Sequence, residues 1–290
     1  MKVTNIMTKI TGISYSLENQ PKTIGEWKDK LKSEIKDLIA QGTEILVYPE
    51  LFLMSLAQYY PDHSESEQME KISTFILDVL LVELGVELKH ENIMLVLGSG
   101  PIKGQDAFFN SCPVFVNGDW SFQNKIYLTP WEDCFSAGEE IKIFNFKNLK
   151  TAIVICFDIE QPYLAQKLKE TGVHLILSPS ATTNKNGNQR VNRCASSRAV
   201  ELGAAVLTVP VVGTSECELV DYNEGRQGFF LPAQDAIQTE QENYSAYSNK
   251  EHIVQTYEFS EETLIELKKK SFETKPFHKK DPEILNIKKI

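Results

Sequence analysis

TAIVICFD, residues 151–158, is a near-continuous apolar run that predicts a strand buried on both faces. Pro162 suits the first turn of a helix over 161–171, and HLILSPS (174–180) predicts the next strand. Strand, helix and strand in this order form a β-α-β unit, which is typical of helix-covered sheets. The ends of such strands are rigid positions from which a sheet presents side chains to a pocket.

The N-terminal part of the chain also alternates strands and helices. ITGISYSL (10–17) predicts a strand, and Thr23 with Glu26 predicts a capping box that begins a helix ending near Gly42. The next elements, in chain order, are a strand at EILVYPE (44–50), a helix over 69–83 and a strand at IMLVLGSG (93–100).

A hairpin is predicted in the middle of the chain. FFNSCPVFVNGDW (108–120) contains Asn117-Gly118, the strongest short hairpin signal, and a second strand then runs into Lys125. These two strands are expected to be antiparallel neighbours, so the sheet should be mixed.

The last third of the chain completes a single predicted domain over residues 1–270. We expect an extended surface loop or a partner-facing excursion over 232–250, because that span is polar and lacks periodicity. Residues 271–290 are expected to form a tail or an arm that contacts another subunit. The remaining predicted elements are a helix at 190–203, strands at 204–213, 226–231 and 252–259, and a helix near 261–270.

Composition excludes several classes of function. Hydrophobic residues make up 42% of the 290 residues and charged residues 24%, which are values typical of a folded soluble protein. The formal net charge of −10 works against binding to nucleic acid or to anionic lipid. No apolar segment has the length of a signal peptide or of a membrane helix, so we expect a cytoplasmic protein.

Cysteine and histidine spacing predicts neither disulfides nor a metal. Five widely spaced cysteines without a C-x-x-C pair indicate free thiols in a reducing compartment. The five histidines are isolated from one another, so a zinc site has no support and we expect no cofactor. The cysteines are Cys112, Cys134, Cys156, Cys194 and Cys217, and the histidines are His63, His90, His174, His252 and His278.

Three of the apolar runs end in a different reactive side chain: Glu50, Lys125 and Cys156. Each has a plain structural explanation when taken alone, since a carboxylate or an ammonium is usually solvated and a cysteine is usually a small buried residue. Together they supply a base, a cation and a nucleophile, the groups required for attack on an amide carbonyl.

The surroundings of these residues resemble a known family. LVYPELF (46–52), NKIYLTPWE (124–132) and IVICFDIEQP (153–162) are similar to the three signature blocks of the nitrilase superfamily of carbon-nitrogen hydrolases, in the same order. The similarity extends over about residues 10–215. The block at 187–213 further resembles a bacterial branch of hydrolases, some of them fused to an acetyltransferase domain.

This resemblance implies an α/β four-layer α-β-β-α sandwich and a homodimer. By position, Glu50 matches the general base and Cys156 the nucleophile. Lys125 and the backbone N–H of Phe157 match the oxyanion-stabilising groups, and Glu132 matches a second glutamate that supports the lysine. Arg198 and Glu201 match a helical pair that we interpret as a structural salt bridge.

Two departures from the family pattern concern the edge of the pocket. Leu202 stands where an asparagine is common, and residues 214–250 do not align with the family. Cys156 is followed by Phe-Asp, whereas true nitrilases carry Cys-Trp-Glu, so an amide substrate is favoured over a nitrile. Either Arg190 or Arg193 could recognise a substrate carboxylate. The predicted substrate-binding residues are Tyr59, Tyr60, Trp131, Phe135, Thr182, Thr183 and Asn184.

The predicted function is hydrolysis of a small-molecule amide through a thioester on Cys156. The sequence leaves open an N-carbamoyl substrate and transfer of the acyl group to an acceptor other than water. A non-catalytic binding or scaffold subunit with the same fold is the alternative from another class.

Overall fold

A computed structural model describes residues 7–237 and 239–270 of the chain. The predicted segment 271–290 lies outside the described residues. The strands are β1 (Met7–Ser14), β2 (Ile45–Tyr48), β3 (Met94–Leu97), β4 (Gly100–Lys103), β5 (Phe108–Val116), β6 (Asp119–Asn124), β7 (Ile143–Phe146), β8 (Leu149–Ile153), β9 (Leu175–Ser180), β10 (Ala205–Pro210), β11 (Gly213–Thr214), β12 (Tyr222–Asn223), β13 (Gly228–Phe230), β14 (Glu242–Tyr244) and β15 (Ile253–Ser260).

The helices flank these strands in sequence. They are α1 (Ile24–Ala40), α2 (Glu65–Phe75), α3 (Leu81–Leu88), α4 (Pro162–Thr171), α5 (Lys185–Leu202) and α6 (Glu261–Lys270). A π-helical turn, Ile76–Leu80, joins α2 to α3, and short 3-10 turns occupy Phe52–Tyr59, Cys156–Glu160 and Glu218–Val220.

Two mixed sheets carry the fold. The first has the order β15-β1-β2-β3-β5-β4, with β6 also paired to β5, and the second has the order β14-β13-β10-β9-β8-β7. Parallel pairing joins β8 to β9 and β9 to β10, as the predicted β-α-β unit requires. The small pair β11-β12 lies outside both sheets.

Side-chain alternation along the strands produces four layers. Ile45 and Val47 of β2 belong to one buried cluster with Ile153 of the second sheet, so these faces pack against each other. Leu46 and Tyr48 point the other way and join a cluster that includes α1. Helices α4 and α5 cover the outer face of the second sheet through apolar side chains such as Leu164, Leu168, Val191 and Ala195. The predicted α/β four-layer α-β-β-α sandwich is confirmed.

Local signals predicted several boundaries correctly. Thr23 caps α1 and forms the expected capping box, in which the Glu26 N–H donates to Thr23 Oγ1 at 3.2 Å and Glu26 accepts from the Thr23 N–H at 3.1 Å. The hairpin turn between β5 and β6 has positive φ at Asn117 (55°) and Gly118 (89°), the backbone conformation that favours this pair. Pro162 opens α4, as predicted.

Other local predictions were wrong. The span 232–250 is not simply a surface loop, because β14 pairs with β13 and Ser245 and Ser248 are buried. Helix α5 begins at Lys185, before the predicted start, since the Asn184 side chain caps it by accepting the Gly187 N–H at 2.9 Å. The strands β4 and β7 were missed because neither is a continuous apolar run: β4 (GPIK) begins with Gly-Pro, and Asn145 interrupts β7 (IFNF).

Candidate active site

Glu50 lies in the turn that follows β2, at the C-terminal end of an interior strand of the first sheet. Leu51 adopts φ +56° and Gly98 adopts φ +67°, so the turns after β2 and β3 both use left-handed backbone. They interlock, since the Ser99 N–H donates to Pro49 O at 3.1 Å. A side chain on Gly98 would place its Cβ 2.3 Å from Pro49 O. This close approach holds Glu50, which is 1% exposed.

Lys125 directly follows β6 and points into the space between the two sheets. It is 2% exposed, although a lysine is almost never buried unless it is paired. Its backbone is held on both sides, because its N–H donates to Asn110 O at 2.9 Å and its carbonyl accepts from the Gly138 N–H at 2.7 Å.

Cys156 opens the 3-10 turn after β8 with φ +45°. Positive φ is strained for a residue that carries a side chain, and such strain clusters at functional sites. The Sγ atom lies 3.5 Å from Ala181 O, at the end of the neighbouring strand β9. The turn therefore lifts the thiol out of the sheet and towards the space occupied by Glu50 and Lys125.

Lys125 forms two buried ion pairs. Its Nζ lies 2.8 Å from Glu50 Oε1 and 2.6 Å from Glu132 Oε2. Thr129 also holds Glu132, donating to it from the backbone N–H at 2.9 Å and from Oγ1 at 2.7 Å. One cation thus joins two carboxylates, and all three side chains are at most 2% exposed.

Asn110 on β5 is a member of the cluster that the sequence did not reveal. Its Nδ2 donates to Glu50 Oε1 at 3.1 Å and to Glu132 Oε1 at 2.8 Å. Its Oδ1 accepts from Ser99 Oγ at 2.6 Å. A buried polar residue in a mostly apolar strand was the one available signal, and it does not by itself indicate a partner.

The pKa values of Glu50 and Glu132 are shifted in opposite directions. Burial raises the pKa of Glu50, because the opposing effect of Lys125 is smaller. Burial also acts to raise the pKa of Glu132, but Lys125 and Thr129 outweigh it and hold that pKa below its usual value. Glu132 is therefore the permanent counter-ion of Lys125, and Glu50 is the carboxylate more able to accept a proton.

The thiol and the ammonium also have altered pKa values. Burial, reinforced by the Glu50 carboxylate, raises the pKa of Cys156 well above its usual value, although Lys125 acts in the opposite direction. Burial alone would lower the pKa of Lys125, but Glu50, Cys156 and Glu132 together raise it. The resting site therefore holds a neutral thiol beside a charged lysine.

Asp158 is a further buried carboxylate, in the turn that begins with Cys156. It accepts from the backbone N–H of Tyr127 at 2.7 Å and of Ile126 at 3.2 Å. Burial raises its pKa to about 7, against these hydrogen bonds. Asp158 therefore connects the turn of Cys156 to the segment that follows Lys125.

A cavity of about 300 Å³ opens onto these groups. Glu50, Lys125, Glu132, Cys156 and Phe157 all line it. So do four of the predicted substrate-binding residues, Trp131, Thr182, Thr183 and Asn184, together with Arg190. The sequence did not predict Glu160, Leu219 and Asn223, which also contribute to the wall.

Tyr59, Tyr60 and Phe135 are not among the residues that line the cavity. Tyr59 donates to Pro21 O at 2.9 Å, and the ring of Tyr60 packs edge-on against His63. Phe135 is buried in the cluster beneath the first sheet. The sequence placed all three near the reactive residues, but apolar packing turns these side chains away from the cavity.

The helical pair forms as predicted, with Arg198 Nη1 2.8 Å from Glu201 Oε2. Within residues 7–237 and 239–270, His, Cys, Asp and Glu side chains do not gather in a group of three that could hold a metal ion. The helices described are too short or too polar to span a bilayer.

The family model for carbon-nitrogen hydrolases matches residues 12–261. The chain belongs to the carbon-nitrogen hydrolase family. The chain is 28% identical over 196 residues to the probable hydrolase YhcX of Bacillus subtilis (strain 168), a match that covers 66% of this chain and 38% of that protein. It is 27% identical over 173 residues to omega-amidase NIT2-B of Xenopus laevis, covering 53% of this chain and 57% of that protein.

A solved structure has the same fold as this chain. Nit3 of Saccharomyces cerevisiae, a member of branch 10 of the nitrilase superfamily, superimposes with a TM-score of 0.68 over 93% of this chain and 96% of that chain, at 18% identity. The chain therefore shares the fold of that nitrilase-superfamily structure. It spans less than two thirds of the length of the curated relatives above.

Proposed function

We propose that this protein hydrolyses the amide bond of a small molecule through a thioester on Cys156. The observation that carries the proposal is the convergence of Cys156, Glu50 and Lys125 on one cavity of about 300 Å³. A cavity of this size accommodates a small substrate and not a folded protein chain.

The first half of the reaction would form the acyl-enzyme. Glu50 takes the Cys156 proton, and the sulfur attacks the carbonyl carbon to form a tetrahedral oxyanion. Glu50 then returns the proton to the nitrogen, the carbon-nitrogen bond breaks, and ammonia or an amine leaves. The raised pKa of Glu50 suits this role, because a general base is most effective when its pKa approaches the working pH.

The second half would release the acid. Glu50 takes a proton from water, the hydroxide attacks the thioester, and the proton passes to the departing Cys156 sulfur. Lys125 and the N–H of Phe157 stabilise the oxyanion in both halves, and one such donor is worth about 10²–10³ in rate. Glu132 keeps Lys125 charged and in position, through the 2.6 Å contact.

The test compares Cys156→Ala and Cys156→Ser with wild-type protein, measuring ammonia release from a panel of small amides. Cys194→Ala is the matched control, because Cys194 does not line the cavity and lies on α5. Turnover by wild type and the control, lost in Cys156→Ala, is expected. Turnover retained in Cys156→Ala would rule out the thioester. Intact mass after substrate addition would show the acyl adduct directly.

Arg190 favours one subset of amides, those that carry a carboxylate, which include N-carbamoyl amino acids. It lines the cavity, and its Nε lies 3.2 Å from Glu160 Oε2, an arrangement that orients the guanidinium. Arg190→Gln should raise KM for amides that carry a carboxylate and leave KM for neutral amides unchanged. Arg193→Gln is the control, since Arg193 is exposed on the same helix and away from the cavity wall.

Hydroxylamine added to the same assays separates the remaining alternatives. An acyltransferase would partition the thioester to hydroxylamine in preference to water. A scaffold subunit would give neither turnover nor an adduct with any amide. The homodimer and the cytoplasmic location stay predictions.

A further inference from the structure

The two oxygens of Glu50 are not equivalent. An ionised carboxylate has about four acceptor sites, two on each oxygen. Oε1 accepts from Lys125 Nζ at 2.8 Å and from Asn110 Nδ2 at 3.1 Å, so both of its sites are occupied. Oε2 accepts from the Ala181 N–H at 2.9 Å. The second site of Oε2 is the one left for a proton.

Ala181 places this free site near the thiol. Its N–H holds Glu50 Oε2, and its carbonyl lies 3.5 Å from Cys156 Sγ. The backbone N–H and carbonyl of Ala181 therefore hold the Glu50 carboxylate and the Cys156 thiol close to each other. Oε1 lies on the side of Lys125, where Glu132 is also held.

A buried hydrogen-bond chain determines how Asn110 points. The Leu51 N–H donates to Ser99 Oγ at 3.0 Å, and Ser99 Oγ donates to Asn110 Oδ1 at 2.6 Å. Because the Asn110 carbonyl is occupied by Ser99, its amide nitrogen must face the glutamates. Ser99 and Asn110 are 0% and 1% exposed, so water does not compete for these bonds.

We propose that Asn110, oriented by Ser99, is a positioning residue that occupies Oε1 of Glu50 and so makes Oε2 the oxygen that takes the Cys156 proton. This inference rests on the proposed function, in which Glu50 is the base. Asn110 touches neither the thiol nor the substrate in this role. It acts through Glu50, by limiting the rotation of the carboxylate and by stabilising its ionised form.

The experiment compares Asn110→Ala and Ser99→Ala with a matched control, Ser111→Ala. Ser111 is the next residue on β5, is fully buried, and its Oγ has no hydrogen-bond partner within the part of the chain that the structure describes. Circular dichroism and thermal unfolding establish that each variant is folded. The readout is the pH dependence of Cys156 alkylation by iodoacetamide, followed by peptide mass, together with kcat and KM for an amide that wild type hydrolyses.

Loss of the Asn110 donors should raise the pH at which the base becomes active. In a plot of the Cys156 alkylation rate against pH, the acid limb is the range in which the rate rises with pH. This limb should move to higher pH in Asn110→Ala, move less in Ser99→Ala, and stay in place in Ser111→Ala. The kcat should fall by about 10²-fold, the usual cost of a misplaced catalytic group. KM should stay near its wild-type value, because ground-state binding is untouched.

A folded Asn110→Ala protein with an unmoved acid limb and normal kcat would overturn the proposal. If Asn110→Ala does not fold, Ser99→Ala decides, since it leaves the Asn110 side chain in place and removes its anchor. Alkylation requires no amide turnover, so the shift can be measured even if the enzyme hydrolyses none of the amides tested. Absence of turnover with a shifted alkylation profile would count against the proposed function alone.

Discussion

Asp158 accepts the backbone N–H of Tyr127 at 2.7 Å across a gap of 31 residues in sequence. This bond connects the turn that begins with Cys156 to the segment that follows Lys125. The relative position of the proposed nucleophile and the buried lysine therefore depends on the Asp158 carboxylate. In the described part of the chain, its hydrogen bonds go to the backbone N–H groups of Ile126 and Tyr127 and not to Cys156 or Lys125. Asp158 is buried in this position, and its desolvation raises its pKa to about 7.

Asp158→Asn should change how stability depends on pH. In the wild type the folded-state pKa of about 7 exceeds the ordinary value of 3.8. Protonation of Asp158 therefore favours the folded state below about pH 4, and this contribution is lost as pH rises through 7. The stability of wild type relative to Asp158→Asn should fall by on the order of 3 kcal/mol between pH 4 and pH 8. Urea unfolding at both pH values measures it, and parallel pH curves would contradict it.

Lys125→Met should destabilise the fold as well as stop turnover. It leaves Glu50 and Glu132 buried without a cation, and breaking such a pair costs about 3–5 kcal/mol. The loss should be larger at pH 8 than at pH 5, because the uncompensated carboxyls can take up protons at low pH. Adding Glu50→Gln and Glu132→Gln should recover stability without activity. A Lys125→Met protein as stable as wild type at pH 8 would show that the ion pairs contribute little.

Glu50→Gln should suppress the reactivity of Cys156 at neutral pH. The thiol has a raised pKa, so its proton must pass to a base before sulfur can attack. Alkylation of Cys156 should slow by about 10²-fold or more, the lower end of the usual contribution of a general base. The other four cysteines provide the internal control and should be labelled at wild-type rates. Equal labelling of Cys156 in both proteins would remove Glu50 from the base role.

Gly98→Ala should be far more harmful than Gly172→Ala, although both glycines have φ +67°. Alanine at positive φ costs about 1 kcal/mol at either position. At Gly172 nothing lies within 4 Å of the added Cβ, whereas at Gly98 the Cβ would lie 2.3 Å from Pro49 O and 2.6 Å from Phe52 Cδ1. Only Gly98→Ala should therefore displace the Glu50 turn and lower kcat. Equal losses of thermal stability in the two variants would show that Pro49 and Phe52 shift to accommodate the added methyl group at position 98.

The sequence by itself determined most of the longer strands, the β-α-β unit and the residues at their ends. Apolar runs and the signals of turns and caps extend over only a few residues, so TAIVICFD, Asn117-Gly118 and Thr23 could be interpreted without the tertiary structure. The family resemblance then connected Glu50, Lys125, Glu132 and Cys156, and the structure brings all four to one cavity.

Only the tertiary structure decided which further residues join them. Ala181 and Glu50 are 131 residues apart in sequence, and Asn110 and Glu50 are 60 apart, so no local pattern relates them. Packing likewise turned Tyr59, Tyr60 and Phe135 away from the cavity and gave Arg190 a place in its wall. Burial then set the direction of each pKa shift, because the cost of removing a charge from water depends on every neighbour the fold supplies.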